Sequence, residues 1–177
     1  DNLARGNANK PALIGPAGQR SYAELCADAC RWGHGFASLG LARGDRVLLF
    51  LDDTPAYPAA FFGAVRAGFV PLLINTLTPP DLLQFYLADS GAKIAVADAD
   101  FAARFDAQAC AETALHTLIV VNGVTPGTSA PSTLTADGWL HGFATELAEA
   151  EPALVVDVEG YEGPLDLLLA LARQQKV

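Results

Sequence analysis

The chain has 177 residues with 51% hydrophobic content, 16 glycines and 11 prolines, which fits one soluble α/β domain with a real core and falls short of two. Its formal charge of −9, from 20 acids against 11 bases with no basic stripe, excludes direct nucleic-acid binding driven by charge. No apolar run approaches the roughly 20 residues of a membrane span, which excludes a membrane partner of that kind.

The chain opens on DNLARGNANK, which has no apolar signal-peptide core, so a cytoplasmic protein is expected. No methionine occurs, which predicts that the start has been trimmed. Ala12–Ile14 and Gln19–Tyr22 flank the turn-rich Gly15-Pro16-Ala17-Gly18 and predict a small hairpin. Ser21 and Glu24 have capping-box spacing, in which each side chain satisfies a free backbone N–H at a helix start. The helix carries an apolar stripe at Tyr22, Leu25, Ala29, Trp32, Phe36 and Leu39, spaced to face one core, and Gly40 ends it. His34 falls near the polar boundary and reads as a solvated or packed histidine. Cys26 and Cys30 are four apart on this helix, so a metal pair is conceivable, but no His or third Cys lies near in sequence to complete it. With Cys110 they read as buried, reduced thiols.

Arg46–Asn75 reads as strand, helix, strand. Arg46–Leu51 and Val70–Ile74 are nearly unbroken apolar runs, the pattern of parallel strands covered on both faces. Between them Asp53 or Thr54 can cap a helix with Pro55 in its first turn, and Gly68 sits where a left-handed C-terminal residue belongs. Thr78-Pro79-Pro80-Asp81 starts a further helix with Leu82, Leu83, Tyr86 and Leu87 inward, stopped at Gly91. Lys93–Ala97 predicts a third strand, Ala99–Thr113 a helix with Phe101, Phe105 and Ala109 inward, and Thr117–Val121 a fourth strand. The fold class is therefore α/β: alternating strands and helices forming a mainly parallel sheet, with a C-terminal helix.

The expected organisation has four parts. Residues 1–121 are the α/β unit, and residues 122–137 are a Gly/Pro/Ser/Thr-rich loop of a length usually functional or a linker. Residues 138–150 are an acidic amphipathic helix with Leu140, Phe143 and Leu147 inward. Residues 151–177 hold an apolar strand-like run, Ala153–Val158, and a leucine-rich helix from Pro164 to Gln175.

Few motifs carry chemistry. Gly33-His34-Gly35 lies inside a helix, and no GxxxxGK[ST], HExxH or GxSxG occurs. Asp52-Asp53 and Asp98-Ala99-Asp100 lie at strand ends, where α/β active-site groups sit, yet they are also good helix caps, and capping is the favoured reading. Thr125–Thr135 has small hydroxyl residues that could cradle a phosphate, but its two prolines remove donors and no lysine follows. A plain Rossmann dinucleotide site is disfavoured, because the turn after Leu51 reads Asp-Asp-Thr-Pro where that fold needs glycines.

Several motifs, taken together, resemble a known family. They are Arg20-Ser21-Tyr22-Ala23-Glu24-Leu25, Gly40-Leu41-Ala42-Arg43-Gly44-Asp45-Arg46-Val47, Phe62-Gly63-Ala64-Val65-Arg66-Ala67-Gly68-Phe69-Val70-Pro71 and Ile74-Asn75-Thr76-Leu77. In order and spacing, residues 11–121 resemble the N-terminal part of the adenylate-forming acyl- and aryl-CoA ligases. The phrasing at Asp53-Thr54-Pro55 and Asn75-Thr76-Leu77 is most similar to the benzoate-CoA ligases. The resemblance implies ATP-dependent activation of a carboxylate to an acyl-adenylate and its transfer to CoA, with ATP, Mg²⁺ and CoA as the full-length family's cofactors. The family's phosphate loop, ribose-binding acid, acyl pocket and catalytic lysine have no counterpart here. No catalytic, cofactor-binding or metal residue is therefore assigned, and the missing ligase portion is itself an expected partner.

The last residues resemble a different family. Tyr161-Glu162-Gly163-Pro164-Leu165-Asp166-Leu167-Leu168-Leu169 and the residues to Val177 are similar to the start of segregation and condensation protein A, the bacterial kleisin. Leu165, Leu168, Leu169 and Ala172 form one apolar stripe, which needs burial on its own domain or on a partner helix. The resemblance implies a partner at an SMC head or another kleisin partner through residues 161–177. A truncated ligase fused near residues 150–152 to a neighbouring reading frame is the expected origin of this pairing.

Overall fold

The computed structural model describes residues 2–16, 18–123 and 131–145, all within one compact unit, Asp1–Leu147. Strands Pro11–Gly15 (β1) and Gly18–Ser21 (β2) form the expected antiparallel hairpin. Helix α1 spans Tyr22–Ser38, and Ser21 and Glu24 complete the capping box in both directions. Five parallel strands follow: β3 (Arg46–Phe50), β4 (Val70–Leu73), β5 (Ile94–Asp98), β6 (Thr117–Val121) and β7 (Ser132–Thr135). Their spatial order is β4-β3-β5-β6-β7. Helices α2 (Ala56–Arg66), α3 (Pro80–Ser90) and α4 (Ala136–Leu140) complete the described elements, with a 3₁₀ turn at Ala99–Arg104. The α/β class with a mainly parallel sheet is as expected; the C-terminal helix lies outside the described residues.

Alternation along each strand sends side chains to two cores. Val47, Leu49, Ile94, Val96, Ile119 and Val121 point to the face covered by α1, α2 and α4. Leu48, Phe50, Ala95, Ala97, Leu118 and Val120 point to the face covered by α3 and the 3₁₀ segment. Helices α1 and α2 approach closely at Gly33 and Gly63. A Cβ added to Gly63 would lie 2.6 Å from Trp32 Cβ and 2.7 Å from the Ala29 carbonyl oxygen, so only glycine fits there. Gly68 takes φ +84 just after α2, the left-handed residue expected at that end. Trp139 lies over Gly35 and stacks edge-on against Trp32 and Phe143.

Several expectations are corrected. Neither Asp53 nor Thr54 caps α2; Pro55 holds the cap position, without a side-chain bond, because Asp52 and Asp98 set the path of the preceding turn instead. Pro79 holds the cap position of α3, likewise without a side-chain bond. The face of α3 is narrower than expected: Leu83 and Leu87 are buried while Leu82 is exposed. Strand β4 is half-exposed, with nothing paired to its outer side among the described residues, so its apolar run is not covered on both faces. The helix expected over Ala99–Thr113 is only a 3₁₀ turn to Arg104, after which Asp106 accepts from the Gln108 and Ala109 N–H groups and turns the chain. The segment expected to be a loop to residue 137 contains β7, a short polar strand held by its ladder to β6. The helix expected from Gly138 begins at Ala136 and ends at Leu140. Cys30 is buried as expected, while Cys26 and Cys110 are half-buried. No helix among the described residues is long and apolar enough to cross a membrane.

Candidate functional site

In parallel α/β sheets the strands' C-terminal ends gather loops at one rim, where ligands bind. Here that rim is built from Asp52, Thr76, Asp98 and Asn122. Asp98 ends β5 and is buried, so its carboxylate needs partners. It accepts the Asp52 backbone N–H at 2.7 Å and the Asn122 amide Nδ2–H at 2.8 Å. Asn122 follows β6 at φ +59, a left-handed conformation that asparagine tolerates. The Asp52 carboxylate in turn accepts the Thr76 hydroxyl at 3.0 Å. One polar chain thus ties the ends of β4, β3, β5 and β6.

Arg104 closes this rim from below. Its guanidinium donates to the Thr76 carbonyl at 2.9 Å and to the Thr78 carbonyl, and it lies 5.0 Å above the Phe50 ring. The loop between β4 and α3 is therefore held by carbonyl capture, while Asn75 accepts the Leu77 N–H at 2.8 Å in a local turn.

Two clefts open beside the rim. One, of about 350 Å³, lies between the ends of β3 and β4 and is lined by Leu51, Asp52, Asp53, Tyr57, Asn75 and Thr76 among others. The other, of about 530 Å³, lies between the β1–β2 hairpin and the start of α2, with Ile14, Arg20, Asp53, Thr54 and Tyr57 in its wall. Asp53 and Tyr57 border both. Burial, and next the Asp53 charge, push the Tyr57 phenol above its ordinary range, so it stays a hydrogen-bond donor at neutral pH. The Thr54 hydroxyl oxygen is buried with no hydrogen-bond partner.

The β3–β4 cleft does not fit a triphosphate or its metal. The β3–β4 cleft is lined by two carboxylates and contains no lysine or arginine. Arg104, which holds the adjoining loop, is committed to two carbonyls. Among the described residues no three His, Cys, Asp or Glu side chains gather as metal ligands. Burial raises the Cys26 thiol, and burial followed by the Asp106 charge pushes Cys110 up to about 11, so both stay protonated at neutral pH. The rim's polar side chains bond to one another and to the backbone, which fixes the strand ends against each other.

The structure places the acids read from sequence differently from their expected role. Asp98 occupies a cap position but makes no capping bond, and spends both carboxylate oxygens on joining strands. Asp53 lines the clefts, and Asp100 is exposed in the 3₁₀ turn. Leu165, Leu168, Leu169 and Ala172 lie outside the described residues. Thr76, Arg104 and Asn122 escaped sequence reasoning as site residues; their signal was position, polar residues just past strands or beside an aromatic run.

Comparisons with known proteins agree on one family. Residues 1–156 match the AMP-binding enzyme family. The chain is 37% identical over 120 residues to the 4-hydroxybenzoate–CoA/benzoate–CoA ligase of Rhodopseudomonas palustris, covering 68% of this chain and 22% of that protein. It is 34% identical to the benzoate–CoA ligase of Thauera aromatica, over 69% of this chain and 23% of that one. Among solved structures, a benzoate CoA ligase from Burkholderia xenovorans superposes with a TM-score of 0.69 at 31% identity, over 81% of this chain and 27% of that one. The anthranilate CoA ligase AuaEII, solved with anthranoyl-AMP, gives 0.77 at 25% identity, over 84% and 28%. The chain spans about a quarter of the length of these relatives. Hairpin, parallel sheet and matched sequence together place this chain in the AMP-binding enzyme family, as its N-terminal region.

Proposed function

We propose that this chain is the N-terminal portion of an ATP-dependent aryl- or acyl-CoA ligase and that it does not turn over alone. The single observation that carries this reading is the family match over residues 1–156 on a fold whose β3–β4 cleft is lined by two carboxylates and no lysine or arginine. Its role is structural: it presents the ligase frame on which the remaining three quarters of such an enzyme assemble. Relatives named for benzoate and hydroxybenzoate favour an aromatic carboxylate for the complete enzyme, with ATP, Mg²⁺ and CoA held by the part this chain lacks. The test is ATP–pyrophosphate exchange with benzoate and with fatty acids. Exchange at background is expected; carboxylate-dependent exchange above it would overturn the reading.

A second reading rests on the family match ending at residue 156, a little beyond the expected junction, which leaves the leucine stripe outside it. We propose that Leu165, Leu168, Leu169 and Ala172 dock on an SMC coiled coil as a kleisin-like helix. Pull-down with a Leu168→Asp, Leu169→Asp variant tests it, since equal capture by parent and variant removes the idea. A continuous reading frame across residues 150–152 into a full kleisin would support a working fusion, and an independent kleisin start there would not.

A further inference from the structure

Strand β6 runs directly into Asn122-Gly123, and the fold calls for both residues. Position 122 takes φ +59, a left-handed conformation that asparagine adopts more readily than most residues, and its Nδ2–H donates to the buried Asp98 carboxylate at 2.8 Å. An aspartate there would tolerate the backbone but offer no donor, and a glycine would offer no side chain. Position 123 lies against the residue that follows Asp98. A Cβ added to Gly123 would sit 2.3 Å from the Ala99 Cβ, so any larger residue forces the two segments apart.

That pairing is chemically labile. In asparagine the side-chain amide carbon Cγ is an electrophile, the main-chain nitrogen of the next residue is a nucleophile, and glycine has no Cβ to keep them apart. Asn2, Asn7, Asn9 and Asn75 precede Leu, Ala, Lys and Thr, so Asn122 alone among the asparagines has an unhindered neighbour. It is also exposed, and water reaches it. The hydrogen bond to Asp98 opposes the reaction in two ways. It restrains the rotation that brings Cγ onto the Gly123 nitrogen, and donation to an anion enriches the amide in electron density, which makes Cγ a poorer electrophile.

We propose that Asn122 is a self-modification site, restrained by Asp98, at which cyclisation onto the Gly123 nitrogen converts the amide to a carboxylate and unties the ends of β5 and β6. The Gly123 nitrogen gives up its proton to water and bonds to Cγ, the Cγ–Nδ2 bond breaks, and Nδ2 leaves as ammonia. Water then opens the cyclic imide. Cleavage of the new Cγ–N bond leaves an ordinary aspartyl link, and cleavage of the original peptide bond leaves the chain running through the side chain as isoaspartate. Nothing is oxidised or reduced: one ammonia leaves and one water enters. Either product loses the Nδ2–H donor and sets a second carboxylate against that of Asp98, and two anions at hydrogen-bond distance repel. The β5–β6 ladder reaches only to Asp98 and Val121, so conversion breaks the rim and leaves the sheet paired.

The experiment holds the whole chain at physiological temperature and mildly alkaline pH, and follows conversion at each asparagine by peptide mapping and isoaspartate by enzymatic methylation. Folded parent, parent in urea and folded Asp98→Ala are compared. Conversion confined to Asn122 is expected in the folded parent, slower than at Asn122 in urea by at least about tenfold, the factor that one hydrogen bond to a charged group implies. Asp98→Ala should restore most of that factor at Asn122 and leave Asn75, exposed beside the same rim, unchanged. A cooperative melting transition qualifies Asp98→Ala, and Asp98→Asn, which keeps the shape and removes the charge, replaces it if that transition is lost. Asn122→Asp supplies the product directly, so its urea midpoint should lie below the parent's and aged parent should move toward it. No excess of conversion at Asn122 over the other asparagines overturns the proposal. So does a folded-parent rate that matches or exceeds the rate in urea, a qualified Asp98 variant no faster than the parent, or an unchanged midpoint for Asn122→Asp. None of these outcomes touches the ligase reading, which the exchange assay decides.

Discussion

The two faces of the central sheet are covered by opposite means. On one, α1 and α2 are drawn together by Gly33 and Gly63 until backbone touches backbone, and Trp139 lies over Gly35 beside them. On the other, Phe50 fills the space among Phe101, Phe105 and the Arg104 guanidinium, with ring centroids 5.6 and 5.7 Å apart. The first face depends on the absence of atoms and the second on their presence. The difference teaches where each is vulnerable: small-to-large changes strain the first, and large-to-small changes empty the second.

The largest effect should come from emptying the second face. Phe50→Ala removes a fully buried ring and the support of Arg104, and is expected to cost about 3–5 kcal/mol in urea unfolding. A loss below about 1 kcal/mol would mean that the aromatic cluster collapses freely and the contrast is wrong. Overfilling the first face comes next. Gly63→Ala should cost about 1–3 kcal/mol, because its Cβ meets backbone oxygen and a Cβ, neither of which can rotate away. Gly35→Ala, which meets only the end of the Trp139 ring, should cost less; the reverse order would break the argument from backbone contact.

A third change tests whether the rim couples the two faces. Asp98→Ala leaves the Asp52 N–H and the Asn122 amide without their acceptor, and about 1–3 kcal/mol is expected in the same assay. Amide hydrogen exchange should then quicken at Asp52 and around Asn122. Unchanged exchange there would show that Asp98 is not the tie between strand ends.

The smallest effect belongs to neither face. The Lys93 ammonium, with the Ala42 N–H next, holds the half-buried Asp45 carboxyl below its ordinary range. A depressed folded-state pKa contributes stability above the unfolded value and loses it as pH falls through the folded one. Asp45→Asn should therefore lower Tm slightly at pH 7, and the difference should vanish as the pH falls through the lowered pKa of the parent's carboxyl. Its effect should add to that of Gly63→Ala or Phe50→Ala. A deficit that persists at low pH would assign it to packing and not to charge.

Much of this fold could be read from the residues in order. Ser21 and Glu24, the apolar runs of β3, β5 and β6, and Gly68 after α2 are local signals whose physics closes within a few residues, and each stands where the sequence puts it. The ligase kinship was equally legible, because its motifs are short contiguous stretches. Local logic misled wherever a distant partner decided. Asp53, Thr54 and Asp98 have the chemistry of caps, but a buried carboxylate takes whichever donors the tertiary fold brings nearest, and for Asp98 these come from residues 52 and 122. Ser132–Thr135 is too short and polar to declare a strand, and becomes one through its ladder to β6.

By itself, then, the sequence determined the alternation of strands and helices, their main boundaries and the family, because periodicity, caps and motifs are local. Only the tertiary structure decided that β4 lies at the edge of the described sheet with Val70 and Leu73 exposed, that Gly63 touches α1, and that Asp52, Thr76, Asp98, Arg104 and Asn122 form one rim. Those facts depend on strand order and helix approach, which join residues tens of positions apart through contacts that no local pattern encodes.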